Sequence, residues 1–449
     1  MAVAAPAFGA LASCTTQPVS ADKAALVPDP DGWLNLPEGF SYTRFSLTGE
    51  QMSDGLFVPT SHDGMGSFPV EGDPDRCLLV RNHEVNADDP EEGPFGDNFE
   101  GLAKLDRSEL YDFTPDGAPL GGGNTTLLYN VKTKQLERSH LSLAGTERNC
   151  SGGITPWGSW LSCEESRNRA GEDSRRAHGY VFEVPATVSG RAAPIPLRAM
   201  GRFNHEAAAV DPSTGIVYQT EDERDGLFYR FLPTAPGELA KGGRLQALAL
   251  VDQAGADTRN WNAATIAQGQ SLPVRWVDLS AVESPDGDLK DRGFAAGAAK
   301  IARGEGLAWA IQQDGASAYF ACTSGGVAKV GQIWRYTPSP YEGTAREAEA
   351  PGMLTLHYES RSAEDLDYCD NLVASPWGHL TICEDADRAC RIHGLTPDGR
   401  LYTIAENPHP DGGEFAGACW SPDGSTLFVN IQTPGATYAI TGPWQRLAV

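Results

Sequence analysis

The 449-residue sequence contains a strand-turn-strand unit that recurs along most of its length. Each copy has a polar loop, an apolar strand, a short turn, a second apolar strand, and an exit rich in Glu, Asp or Asn. The two clearest copies, residues 150–165 and 370–385, share Pro-Trp-Gly, an apolar strand and Cys-Glu-acid. Looser copies cover residues 205–222, 303–326 and 414–432, and a degenerate copy ends at 78–84. A repeat of this kind limits the fold more strongly than any single motif.

The repeat predicts an all-β fold, a six-bladed β-propeller with irregular insertions between the blades. The six units are tens of residues apart, so the polar intervals between them can hold two further strands each. The 50 glycines and 31 prolines, with recurrent Pro-Asp-Gly turns, also favour short strands joined by tight turns. We expect one propeller domain over residues 30–449.

Carboxylates mark the ends of the repeated strands. In a propeller, the start of each inner strand and the end of the second strand lie on the same face, near the central channel. Pro-Trp-Gly and Pro-Asp-Gly are explained as turn chemistry, but a turn needs no glutamate after a buried strand. Eight glutamates around one channel would repel each other, so cations are the natural compensation and the pattern predicts a multi-metal site. These glutamates are Glu84, Glu164, Glu165, Glu221 and Glu384 at strand exits, and Glu206, Glu305 and Glu414 at strand entries.

The net charge of −25 makes a nucleic-acid partner unlikely on electrostatic grounds, because 60 acidic residues face only 35 basic ones. Most of these carboxylates are expected to form a soluble surface. No stretch approaches the roughly 18 apolar residues of a membrane span. The nine cysteines are an odd number and match no Cys-x-x-Cys zinc pattern.

Residues 1–29 are expected to be a residual export signal or a linker. Their first part is rich in small apolar residues, like the tail of a secretory signal peptide, although a charged leading region is missing. Leu11-Ala-Ser-Cys14 resembles a bacterial lipobox, which would make Cys14 a lipid anchor. A periplasmic or secreted location follows.

An ordered set of motifs from about residue 30 to the C-terminus resembles the PhoX family of alkaline phosphatases. So long a set is far more specific to the family than any one motif in it. The set consists of Asn149–Glu165, Asn204–Asp211, Arg303–Trp309, Asp370–Asp385 and Glu414–Gln432, with Gly121–Thr126 and Asp222–Phe231.

The resemblance implies an enzyme exported through the twin-arginine route that hydrolyses phosphomonoesters with ferric iron (Fe3+) and calcium. It implies that Cys150 binds iron through its thiolate, that Glu206 and Glu305 are iron-binding and catalytic glutamates, and that Arg303 is a catalytic residue in contact with phosphate. Asn371 is expected to help bind substrate. A monomer is the family's usual state. Further metal ligands are expected at Glu84, Glu164, Glu165, Glu221 and Glu384.

Physical chemistry supports these roles independently. A thiolate is a soft ligand whereas calcium takes hard oxygen ligands, so Cys150 beside a carboxylate ring favours a transition metal next to calcium. Arg303 and Glu305 flank Gly304, and side chains two residues apart on a strand share a face. The planar fork of arginine suits a phosphoryl group.

Two other classes of protein share most of these features. A calcium-dependent propeller of the phytase type would present many basic residues to its substrate, and few cluster near the predicted ring; a lactonase type would leave Cys150 unexplained. A non-enzymatic, calcium-stabilised binding propeller would contain no iron and hydrolyse no ester. The sequence lacks His-Glu-x-x-His, Gly-x-Ser-x-Gly and a Walker loop, so zincin, serine-hydrolase and nucleotide-triphosphatase interpretations lack their usual residues.

Overall fold

The structure is a computed structural model, and it describes residues 25–312, 315–386, 388–410 and 412–447. Most of the expected export segment, with Cys14, lies outside the described residues. Among the residues that are described, no helix is long and apolar enough to cross a membrane.

Strands make up nearly all of the regular structure. The first half of the chain forms β1 (Leu26–Val27), β2 (Leu36–Pro37), β3 (Ser41–Phe45), β4 (His62–Val70), β5 (Asp73–His83), β6 (Gly122–Asn130), β7 (Gln135–Thr146), β8 (Asn149–Ile154), β9 (Ser159–Glu164), β10 (Val181–Pro185), β11 (His205–Val210), β12 (Val217–Glu221) and β13 (Phe228–Pro233). The second half forms β14 (Gly243–Leu250), β15 (Ser271–Asp278), α1 (Leu289–Ala295), β16 (Gly304–Gln312), β17 (Gly315–Cys322), β18 (Gln332–Thr337), β19 (Met353–Glu359), β20 (Cys369–Ala374), β21 (Leu380–Glu384), β22 (Arg391–Leu395), β23 (Leu401–Glu406), β24 (Phe415–Trp420), β25 (Thr426–Ile431) and β26 (Ala436–Thr441).

Short 3-10 helices lie in the connections between strands. They span Pro90–Glu92, Glu100–Lys104, Arg107–Glu109, Arg198–Met200, Leu239–Lys241, Glu347–Glu349 and Trp444–Arg446.

The strands form antiparallel sheets. Three sheets have four strands each, in the orders β4-β5-β6-β7, β20-β21-β22-β23 and β24-β25-β26-β3. One has three strands, β8-β9-β10, and a small one contains β1 and β2. The largest has nine strands in the order β11-β12-β13-β14-β15-β19-β18-β17-β16, because β15 pairs with both β14 and β19.

The sheets surround a central channel. The strands β4, β8, β11, β16, β20 and β24, called the inner strands below, contact one another in a closed cycle in that order. The N-terminal strand β3 pairs with the C-terminal strand β26, which ties the two ends of the chain into one sheet. The predicted all-β, propeller-like architecture is therefore confirmed, and each repeat copy seen in the sequence falls on an inner strand and the strand after it.

Apolar side chains fill the spaces between neighbouring sheets, and the inner strands pack closely around the channel. Between the sheet regions of β13 and β17, Phe228 and Phe320 stack with ring centroids 4.4 Å apart. A Cβ atom on Gly153 would lie 1.9 Å from the Ala208 carbonyl oxygen, and one on Gly306 would lie 2.5 Å from the Leu372 backbone nitrogen. The glycines of the Cys-Ser-Gly-Gly and Arg-Gly-Glu-Gly motifs therefore permit close approach of neighbouring inner strands.

Candidate metal centre

A shared β-bulge sets the direction of one side chain near the start of five inner strands. In each, the first residue of the inner strand pairs with the last residue of the next strand, and the register then shifts. Such a bulge re-aims the side chain that it contains. The residues that directly follow the first pair, called the entry ring, are Asp63, Cys150, Glu206, Glu305 and Asp370.

A backbone hydrogen bond positions a second set of residues beside the entry ring. In every sheet that contains an inner strand, the residue after the second strand donates its N–H to the carbonyl of the residue before the inner strand. These donor and acceptor pairs are Glu84–Ser61 (2.9 Å), Glu165–Arg148 (2.8 Å), Asp222–Asn204 (3.2 Å), Thr323–Arg303 (3.0 Å), Asp385–Tyr368 (2.9 Å) and Gln432–Glu414 (3.2 Å). The donor residues of these pairs are called the exit ring.

The two rings bring together three groups of side chains able to hold a metal ion. Within each group the ligand atoms lie within 4.8 Å of one another. Cys150 belongs to two groups and Glu206 to two, so the three groups form one continuous set of ligands. The groups are Asp63–Glu84–Cys150, Cys150–Glu165–Glu206 and Glu206–Glu305–Asp370.

Cys150 lies between carboxylates. Its Sγ atom is 3.5 Å from Asp63 Oδ2 and 3.3 Å from Glu206 Oε1. Burial, followed by the charges of Asp63 and Glu206, raises the pKa of the Cys150 thiol well above its usual value. A thiolate at this place therefore requires a positive charge next to it, which a metal ion would supply.

The carboxylates of the entry ring also require positive charge. Burial and then the neighbouring charges of Glu305 and Asp370 raise the pKa of Glu206 well above its usual value. Burial and then the charge of Asp385 raise the pKa of Asp370 to about 7. Two buried oxygens, Asp63 Oδ1 and Glu206 Oε2, have no hydrogen-bond partner among the described residues. Clustered, unpartnered carboxylate oxygens fit hard cations, so the donor set agrees with bound metal.

Arg303 lies at the edge of this ligand set. Its Nε and Nη2 atoms donate to Asp222 Oδ1 and Oδ2 at 2.8 and 2.9 Å, and Nη2 is 2.8 Å from Glu305 Oε1. Burial alone would lower the pKa of Arg303, but the charge of Glu305 and the bond to Asp222 outweigh it, so the pKa is raised and the guanidinium stays charged. About a third of the side chain (32 %) is exposed, so a ligand can reach it.

Three glutamates expected as metal ligands, Glu164, Glu221 and Glu384, lie outside the three groups of ligand atoms. Each is the last residue of its strand and accepts hydrogen bonds from residues in or next to the strands of its own sheet. Successive side chains on a strand point in opposite directions, so the residue after each of them faces the channel instead. The donors are His178 Nδ1 and the Gly179 N–H for Glu164, the Leu227 N–H and Tyr229 hydroxyl for Glu221, and the Asp367 and Arg391 N–H groups and His393 Nε2 for Glu384.

Asn371, expected to bind substrate, contacts the ligand set through its neighbour. Its Nδ2 atom donates to Asp370 Oδ1 at 3.2 Å, and its Oδ1 atom accepts a hydrogen bond from the Gly417 N–H. Both ends of the amide are therefore engaged, and the side chain holds the Asp370 carboxylate in place.

Glu414, at the entry of the sixth repeat copy, lies beside the exit ring. Burial, followed by a hydrogen bond with the Asp385 carboxyl, raises the pKa of Glu414 well above its usual value. The adjacent carboxyl groups of Glu414 and Asp385 can both be ionised only if positive charge lies near them in the channel.

Several acidic residues of the two rings were not among the sequence-predicted ligands. Asp222 and Asp385 directly follow Glu221 and Glu384, just as Glu165 follows Glu164, so a strict alignment of the strand exits identifies them. Asp370 is the residue that matches Glu305 once the strand starts are aligned. Asp63 lies in β4, the inner strand of the degenerate copy, where only the second strand had a visible signature.

The chain matches the family model of alkaline phosphatase PhoX over residues 21–106 and 120–435. No curated protein matches it significantly. Pseudomonas fluorescens PhoX, solved in complex with vanadate, a transition state analogue, has 18 % sequence identity and a TM-score of 0.67, and the match covers 94 % of this chain and 97 % of that one. A gluconolactonase from Xanthomonas campestris is 11 % identical over 94 % of this chain and 99 % of its own, with a TM-score of 0.39, too low to carry an argument. The family match over most of the residues shows that this chain belongs to the PhoX family of alkaline phosphatases.

Proposed function

We propose that this protein hydrolyses phosphomonoesters with calcium and ferric iron held in the central channel. The observation that carries the proposal is the continuous ligand set, in which one thiol lies among buried carboxylates and a charged arginine lies at the edge. A thiolate favours a transition metal, whereas the oxygen ligands around it suit calcium.

The proposed ligands follow from the two rings. Cys150 and Glu206 would hold iron, because they are the residues shared between neighbouring groups. The remaining members of the three groups, Asp63, Glu84, Glu165, Glu305 and Asp370, would complete the iron and calcium sites. Glu164, Glu221 and Glu384 are not proposed as ligands, because their oxygens already accept hydrogen bonds from residues in or next to the strands of their own sheets. When bound, such metals neutralise phosphoryl oxygens and lower the pKa of bound water.

The chain's own contribution to the reaction is to bind and orient the phosphoryl group. The Asp222 carboxylate accepts hydrogen bonds from the Nε and Nη2 atoms of Arg303, and these two bonds fix the plane of the guanidinium. The remaining Nη1 group then donates charge-assisted hydrogen bonds to phosphoryl oxygens, and these bonds strengthen as the oxygens gain charge. We assign Asn371 to positioning Asp370 rather than to contact with substrate.

We also propose that the propeller has six blades. The nine-stranded sheet would then be two blades, β11–β14 and β16–β19, joined edge to edge by the inserted strand β15. The six equivalent hydrogen bonds between exit residues and entry residues support this count, since each blade contributes one. Export to the periplasm or the medium, and a monomeric state, complete the proposal.

Arg303→Lys tests the phosphate-binding part of this function. Lysine keeps the charge but loses the planar fork, so we expect kcat/KM for p-nitrophenyl phosphate to fall about 10²-fold or more. Arg388→Lys is the matched control, because Arg388 is equally exposed and pairs with Asp367, which lies outside the ligand set. Arg303→Lys with unchanged kcat/KM would remove Arg303 from the proposed mechanism.

A further inference from the structure

Arg148 occupies the same position before β8 that Arg303 occupies before β16. The Arg148 carbonyl accepts the Glu165 N–H at 2.8 Å, and the Arg303 carbonyl accepts the Thr323 N–H at 3.0 Å. Both arginines have positive φ angles, 42° and 55°, as do Ser61 and Tyr368 at the same position before β4 and β20, at 48° and 50°. The left-handed backbone is therefore a feature of the repeat, and the two arginines share it. The same backbone conformation before the same bulge sends the two side chains in corresponding directions.

The contacts of the two guanidinium groups also correspond. Arg148 binds Glu84, the exit-ring residue of the preceding sheet, with its Nε and Nη2 atoms 3.2 and 3.1 Å from Glu84 Oε1. Arg303 binds Asp222, which is the exit-ring residue that precedes it along the cycle. Each arginine also pairs with a carboxylate of its own repeat unit, Arg148 with Glu165 and Arg303 with Glu305.

Both arginines retain hydrogen-bonding capacity beyond these contacts. A guanidinium has five N–H donors, and in each of these two residues the contacts to described residues use only Nε and Nη2. The Arg148 side chain is 38 % exposed, close to the value for Arg303. The Nη1 group of each arginine is therefore available to a ligand.

The two guanidinium groups flank one ligand set. Arg148 pairs with Glu165, Glu165 shares a group of ligand atoms with Glu206, and Glu206 shares the next group with Glu305, the partner of Arg303. Three neighbouring carboxylates thus connect the two arginines. A phosphoryl group bound at these carboxylates through cations would therefore lie beside residues that contact both guanidinium groups.

We infer that Arg148 is a second phosphate-contacting residue, which acts with Arg303 on the phosphoryl dianion. This inference rests on the proposed function. Two fixed guanidinium charges match the two negative charges that a phosphomonoester carries at alkaline pH.

Arg148→Gln, studied in the metal-loaded enzyme, tests the inference. Calorimetric titration with inorganic phosphate should show affinity about 10- to 100-fold weaker than in the wild type, since charge-assisted hydrogen bonds are lost. KM for p-nitrophenyl phosphate should rise in parallel, while iron and calcium content stay at wild-type levels. Arg148→Lys, which keeps the charge without the fork, should give an intermediate affinity. Arg388→Gln should bind phosphate as the wild type does.

A purely structural role for Arg148 gives a different result. If the residue only screens Glu84 and Glu165, its removal frees two carboxylates and strengthens calcium binding, with phosphate affinity unchanged, and that outcome overturns the inference. Loss of metal from both Arg148 variants would overturn it as well. If Arg303→Lys loses phosphate affinity and Arg148→Gln does not, only the inference fails. If the metal-loaded wild type binds no phosphate and hydrolyses no phosphomonoester, the proposed function itself fails.

Discussion

Glu206→Gln is expected to abolish phosphatase activity, with kcat lowered about 10³-fold or more, and to reduce the metal content of the purified protein. Glu206 is fully buried and belongs to two of the three groups of ligand atoms. Glutamine has nearly the same shape, but it offers one neutral carbonyl oxygen in place of a charged carboxylate. Both groups of ligand atoms that contain Glu206 therefore lose a charged ligand. Elemental analysis measures the metal content, and a turnover assay measures kcat.

Glu221→Gln is the matched control for this substitution. Glu221 is 2 % exposed and lies in β12, next to the strand that carries Glu206. Its Oε2 atom accepts hydrogen bonds from the Leu227 N–H and the Tyr229 hydroxyl at 2.9 and 2.8 Å. The glutamine carbonyl can accept both bonds, so Glu221→Gln should cost no more than about 1 kcal/mol of stability and leave metal content unchanged. The register of β12 implies that Glu206 is a metal ligand and that Glu221 is not. Equal metal loss in Glu206→Gln and Glu221→Gln would contradict this difference.

Cys150→Ser is the second substitution with a large expected effect. The serine hydroxyl does not ionise as a thiol does and is a hard ligand, so iron should be lost or bound weakly. We expect the visible absorption of an iron–thiolate bond to disappear and kcat to fall about 10²- to 10³-fold. The far-UV circular dichroism of the variant should match that of the wild type, because serine fills nearly the same space. Its melting temperature should fall to the extent that iron is lost, since the bound metal stabilises the folded state.

Cys163→Ala is the control for this experiment. Cys163 lies in β9 of the same sheet, is fully buried among apolar side chains, and belongs to none of the three ligand groups. Its removal should lower stability by about 1 kcal/mol through the small cavity it leaves, with colour and turnover retained. A wild-type enzyme that is active without iron or visible absorption would contradict the proposed role of Cys150.

The propeller-like fold and part of the site could be predicted from the sequence. The rest of the site could not, because it depends on the register of the strands. The strand-turn-strand repeat identified five of the six inner strands, because its apolar runs and turns are local signals, and it marked the sixth unit only through its second strand, β5. Arg303 and Glu305 were expected to lie together as strand residues two apart, and they do form an ion pair, but through a left-handed Arg303 before β16 and the bulge that follows it. The insertion of β15 between two sheets was not predictable, because long-range pairing leaves no local pattern.

Glu164 and Glu165 show why the ligand set was harder to predict. A shift of one residue in a strand turns a side chain from the channel to the interior of the sheet. The sequence shows two adjacent glutamates, but only the structure shows that β9 ends at Glu164 and that Glu165 shares a group with Cys150. Likewise, the bulge at the start of β20 directs Asp370 into the ligand set and leaves Asn371 to support it. Bulges of this kind have no reliable sequence signature.

Elemental analysis of the purified protein, run beside hydrolysis of p-nitrophenyl phosphate with and without a calcium chelator, tests the metal-dependent mechanism most directly. The proposed mechanism predicts that iron and calcium co-purify with the chain, that the chelator abolishes turnover, and that added calcium restores it. Hydrolysis that persists in metal-free protein would contradict the proposed mechanism. Bound calcium without iron and without turnover would instead favour a lactonase-type or a non-enzymatic binding propeller.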